Sequence, residues 1–100
     1  MAYDVKLLGI ANNDIDEICE YLFQFYPSTP GKFIDALNED FKNVSHNPYM
    51  YPIYEYNKEY RRIVTGDYLV FYKILEEKNQ VRVYRILNGK QNTNTILEKL

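Results

Sequence analysis

The run Tyr68-Leu69-Val70-Phe71-Tyr72-Lys73-Ile74-Leu75 constrains this chain more than any other feature. It places apolar side chains on both faces of one strand, so that strand belongs inside a sheet with a neighbour on either side. The flanking sequence supplies both neighbours. Tyr60-Arg61-Arg62-Ile63-Val64 is strand-like and leads into a tight turn at Thr65-Gly66-Asp67, and Glu76-Glu77-Lys78-Asn79 turns the chain into a further strand, Gln80 to Leu87. Three strands linked by short turns make an antiparallel meander. With 100 residues and a single cysteine, Cys19, no internal disulfide and no zinc framework can form. One core must therefore hold one domain, residues 1–100, and a reducing, intracellular setting is the simpler expectation.

The N-terminal half has a helical pattern after a short first strand, Tyr3 to Leu8, in which Tyr3, Val5 and Leu7 share a side. Asn13 is the expected N-cap of a first helix, with Asp16 in the capping-box position and Ile15, Ile18, Cys19, Leu22, Phe25 and Tyr26 as its apolar stripe. Asp14, Glu17, Glu20, Tyr21 and Gln24 read as its solvated face, and Cys19 as a small apolar residue. Near Tyr26-Pro27 this helix ends. A second is expected from about Pro30, carrying Phe33, Leu37, Phe41 and Val44, to Asn47-Pro48. The short connection makes the two a hairpin. After Asn88-Gly89-Lys90-Gln91-Asn92, Thr93 or Thr95 is expected to cap a last short helix docked through Ile96, Leu97 and Leu100. The sum is an α+β chain of order β-α-α-β-β-β, an antiparallel sheet with the helical hairpin packed on one face, a short C-terminal helix, and the other face open for a ligand or partner.

Charge is uneven along the chain. Residues 1–57 hold three basic and nine acidic side chains, a balance of −6, whereas residues 58–90 hold eight basic and four acidic, a balance of +4. A mildly basic face suits nucleic acid or an acidic partner, and exposed strand cations explain it equally well. No uncharged run approaches the roughly 20 residues of a membrane span, and the start lacks a cationic segment followed by an apolar one. A soluble, cytoplasmic protein without membrane, metal or cofactor is expected.

The element order, the helix-ending Asn47-Pro48, the run Tyr60 to Tyr72 and the run Val81 to Gly89 together resemble the RelE/ParE superfamily of toxins from bacterial type II toxin–antitoxin systems, over nearly the whole chain. The resemblance implies growth inhibition, association with plasmid stabilisation, and neutralisation by a cognate antitoxin protein. RelE-like members are ribosome-dependent endoribonucleases that cut messenger RNA. ParE-like members inhibit DNA gyrase and are not nucleases.

Cutting RNA through its 2′-hydroxyl needs a proton acceptor, a proton donor and fixed cations. Against the RelE-like pattern, Arg62 keeps one basic strand position, but Tyr60 stands where a lysine is expected and Leu69 where an arginine is. Gly89-Lys90 matches a glycine–lysine pair, Gln91 replaces the next arginine, and no tyrosine follows Tyr84. A nuclease would have to rely on Arg62, Lys90 and His46, the only histidine. Arg61, Arg82 and Arg85 stay charged and make poor proton donors. A sequence pI near 5.3 also disfavours ribosome binding. The ParE-like reading needs only a shaped surface, for which Arg61, Arg62, Lys90 and Asn92 are candidate target contacts. One alternative has Arg61 and Arg62 simply alternating across an edge strand, with one paired to a helix acid. Tyr49, Tyr51, Tyr54, Tyr56 and Tyr60 fall within twelve residues and are candidate antitoxin contacts. The competing reading has about three of the five shielding core. A third possibility is a non-toxic binding remnant.

Overall fold

Strand β3 (Tyr68–Leu75) lies inside a four-stranded sheet, as its two apolar faces require. The computed structural model describes residues 2–100. Strands β1 (Asp4–Leu7), β2 (Arg61–Thr65) and β4 (Gln80–Asn88) complete the sheet in the order β1-β4-β3-β2, and the helices are α1 (Gly9–Phe23), α2 (Thr29–His46) and α3 (Thr93–Glu98). The architecture is α+β. The meander β2-β3-β4 is antiparallel, while β1 pairs with β4 in parallel, Val5 opposite Val81 and Leu7 opposite Val83. Parallel strands need a long connection between them, and the helical hairpin is part of it. In the two-residue β2–β3 turn, Gly66 takes φ +60°, the mirror-image geometry that matches strand twist and that glycine adopts without strain.

Alternation divides the sheet side chains between two clusters. On the hairpin side, Ile63, Val70, Tyr72, Val81, Val83 and Ile86 pack with Ala11, Phe33, Leu37 and Val44. The opposite face is only partly open. Phe71 and Leu87 are covered there by Tyr54, Tyr60 and Leu97, with Leu69, Tyr84 and Ile96 at the margin. The segment between α2 and β2 wraps around the β2 edge to provide this cover. Its Pro52 carbonyl accepts from the Arg62 amide (3.1 Å), Ile53 bridges to Arg61, and the Tyr54 amide donates to Tyr60 O (2.8 Å). An edge strand that would otherwise offer free amides is thereby shielded.

Helix α1 departs from expectation at both ends. It starts at Gly9, with Leu8 as an extended N-cap lacking a side-chain bond, rather than after Asn13. The Leu8 amide still donates to Val83 O (3.0 Å), so the chain passes from strand to helix without a loop. The extra turn inserts Ala11, fully buried, and the buried stripe becomes Ala11, Asp14, Ile15, Ile18, Cys19 and Leu22. Asp14, read as solvated, is thus 6% exposed. At the other end the helix stops at Phe23, and Phe25 and Tyr26 are exposed. Tyr26 precedes Pro27, which disfavours helical geometry there. Helix α2 agrees with expectation. Helix α3 is capped by Asn92, whose side chain accepts from the Thr95 amide, and neither Thr93 nor Thr95 is the cap. Thr93 is instead buried against the Tyr54 hydroxyl (2.5 Å). Leu97 docks, whereas Leu100 is 49% exposed.

Candidate functional site

The side of the sheet away from the hairpin carries the candidate site. On β2, Arg61, Ile63 and Thr65 point toward the hairpin and Arg62 and Val64 away from it. The two arginines are therefore separated by the sheet. Arg61 donates from Nη1 to the Tyr51 carbonyl (2.7 Å) and lies over the Tyr49 ring, 5.1 Å from its centroid. It holds the wrapping segment in place and meets no helix acid. The arginine that does is Arg85 on β4, which grips Asp14 of α1 through Nε (2.7 Å) and Nη2 (2.8 Å). Asp14 Oδ2 also accepts from the Ile86 amide (3.0 Å), beside a register shift where the β3–β4 pairing skips Tyr84. Alternation with Val81 and Val83 puts Arg85 on the helix side, and the irregularity brings Ile86 to that side as well. Close contact with the Asp14 carboxylate pushes the Arg85 guanidinium further into its charged range.

The other candidates are scattered. Lys90 is exposed in the turn after β4, where its amide donates to Asn88 Oδ1 (2.9 Å). The neighbouring Gly89 amide bonds Asp67 O (2.9 Å), placing Lys90 beside the β2–β3 turn, past the end of β2 from Arg62. Asn92 is occupied as the α3 cap. His46 is exposed at the end of α2, in the helical layer on the far side of the sheet from Arg62.

The five tyrosines divide by burial. Tyr54 and Tyr60 are 6% and 3% exposed and pack on Phe71, with Tyr54 to Phe71 centroids 4.9 Å apart. Tyr51 is half-buried and meets the Tyr72 ring edge-on. These three shield core, and burial pushes the Tyr51 and Tyr60 hydroxyls toward higher pKa. Tyr49 and Tyr56 present 51% and 66% of their surface. The Tyr49 hydroxyl also donates to Glu76, which accepts from Tyr3 as well (2.8 Å).

Lys73 stands out on the open face. Its ammonium lies 4.7 Å from the Tyr60 ring centroid and 4.9 Å from that of Tyr84, in the attractive range for a cation over aromatic faces. Its position as the one polar residue in an otherwise apolar strand was the available sequence signal. Among the described residues no group of three or more His, Cys, Asp or Glu side chains converges as a metal site, and no helix is long and apolar enough to cross a membrane.

A four-stranded sheet, a helical hairpin on one face and a basic, aromatic-edged opposite face can be compared with known proteins. Residues 5–93 match the family described as ParE toxin of type II toxin-antitoxin system, parDE. The chain belongs to this toxin family. Among solved structures it is similar to a chain of the chromosomal ParDE toxin–antitoxin system from P. aeruginosa, with TM-score 0.73 and 15% identity over 87% of this chain and 96% of that one. It is also similar to chains of the E. coli RelBE complex (TM-score 0.63, 14% identity, 90% and 100% covered) and of the RelBE2 complex from Mycobacterium tuberculosis (TM-score 0.63, 18% identity, 88% and 99% covered). A comparison with curated proteins returns no match.

Proposed function

We propose that this ParE-family toxin arrests growth by gripping a protein target of the DNA gyrase kind, without cutting RNA, and that a cognate antitoxin holds it inactive. The observation that carries this reading is that neither Lys90 nor His46, the other groups a nuclease would rely on, gathers with Arg62. Lys90 lies beside the β2–β3 turn beyond the end of β2, His46 lies beyond the sheet, and the remaining positions where a nuclease would carry charge hold Tyr60, Leu69 and Gln91. Tyr60 is buried, with its hydroxyl pKa pushed up, so it is a poor proton acceptor. The higher structural similarity to the ParDE chain than to the two RelBE chains supports the same side at the level of fold. Arg62 and Lys90, exposed or half-exposed at one end of the sheet, are the proposed target contacts; Arg61 and Asn92 contribute by fixing the wrapping segment and α3. Tyr49 and Tyr56 are the proposed antitoxin contacts.

Induction of the chain in growing cells tests the reading. Gyrase inhibition predicts blocked replication, filamentation and a DNA-damage response with intact transcripts. Cut transcripts and halted translation that disappear on Arg62→Ala would replace it with the ribonuclease reading.

A further inference from the structure

Three cations stand side by side across the open face of the sheet. Lys6 of β1 pairs in register with Arg82 of β4, and Arg82 pairs in register with Lys73 of β3. Each alternates with residues of the hairpin-side core, Val5 and Leu7, Val81 and Val83, Tyr72 and Ile74, so all three point to the opposite face. Like charges directly opposite one another on neighbouring strands are destabilising. None of the three is held in an ion pair: among the described residues the ion pair is Arg85–Asp14, Arg82 Nη2 meets Gln80 Oε1 (3.1 Å), and Asp4, on the same face as Lys6, lies one row along opposite Gln80. Lys73 is further fixed by the Tyr60 and Tyr84 rings, so its charge is held in place.

We infer that the row Lys6–Arg82–Lys73 is a docking surface for an acidic helix of a partner protein. Strands are spaced by about 4.8 Å, so the row spans roughly 9.6 Å. Acids at positions i, i+3 and i+7 of a helix lie on one stripe and span roughly 10.5 Å, so a helix laid across the strands meets all three cations. A single-stranded nucleic acid fits less well, because such binding uses exposed ring faces on which bases stack. Tyr60 is 3% exposed, and the Tyr84 ring is T-shaped to Tyr60 and carries the Lys73 ammonium over its face. The inference uses none of the proposed target contacts and stands whichever protein the toxin inhibits.

The test is titration of the full-length protein with a synthetic helical peptide carrying Glu at i, i+3 and i+7, alongside the same peptide with Gln at those positions and a single-stranded RNA oligonucleotide. Binding is followed by calorimetry and by amide chemical shifts of β1, β3 and β4. The Glu peptide is expected to bind, weakening as salt screens the row, and Arg82→Gln or Lys6→Gln to weaken it about tenfold, or 1.4 kcal/mol for one charge contact. The thermal midpoint of both variants should stay level or rise, since each relieves repulsion. Equal binding of the Gln peptide, tighter binding of RNA through the same residues, or a lowered midpoint in both variants would each overturn the inference.

Discussion

Asp14 is the residue on which the hairpin layer and the sheet depend most. Its carboxylate answers three donors at once, two from Arg85 and one from the Ile86 amide at the β4 bulge. A buried ion pair contributes little when intact, but removing one partner leaves a charge and an amide without company, which costs about 3–5 kcal/mol. Asp14→Ala should therefore lower the unfolding free energy by about that amount in urea titration, whereas Glu17→Ala, one turn on and exposed, should stay within about 0.5 kcal/mol. Equal effects would show that the pair is not structural. The position was legible and the role was not. Asp14 falls on the stripe 11-14-15-18-19-22, but an acid on a helix reads as solvated until its partner is known, and Arg85 is 71 residues away. For the same reason the sequence suggested a helix acid for Arg61 or Arg62, whereas the acid is held by Arg85 of β4.

At the scale of elements, the meander and α2 follow directly from local patterns, because turn chemistry and apolar period agree there. The segment between α2 and β2 was opaque, since its order comes from tertiary bonds. Tyr72 donates to Pro48 O (2.6 Å), Arg61 holds Tyr51 O, and Tyr49 donates to Glu76. Its five tyrosines then divide according to where the wrapping path crosses the β2 edge, a path no period encodes. Glu76 makes the clasp sensitive to acid. The hydrogen bonds from Tyr49 and Tyr3 hold its carboxyl below the ordinary value of 4.5. A group depressed on folding contributes stability that is present above its unfolded pKa and lost as pH falls through the folded one. Urea midpoints should thus fall as pH drops below about 4.5, and Glu76→Gln should lose less than the wild type over that range. Parallel acid profiles for the two proteins would remove Glu76 from the account.

At the scale of the molecule, charge and topology act together. The acidic residues gather in the N-terminal half, and β2, β3 and β4 bring Arg62, Lys73 and Arg82 to one open face. Such a surface can recognise a partner without chemistry, because association needs complementary shape and charge whereas phosphodiester cleavage needs proton acceptors and donors placed within hydrogen-bond reach. Helix α3 and the wrapping tyrosines cover the Phe71–Leu87 part of that face, leaving Lys6 exposed and Arg82 and Lys73 half-buried beside it. The family was recognisable from residues 60–90 because strand pattern, turn and glycine–lysine pair fall there in order. The direct test of action by binding is to add the purified toxin to translating ribosomes and map the 5′ ends of the message. Full-length message at toxin levels that arrest growth is the predicted result; new ends that vanish with Arg62→Ala would contradict it.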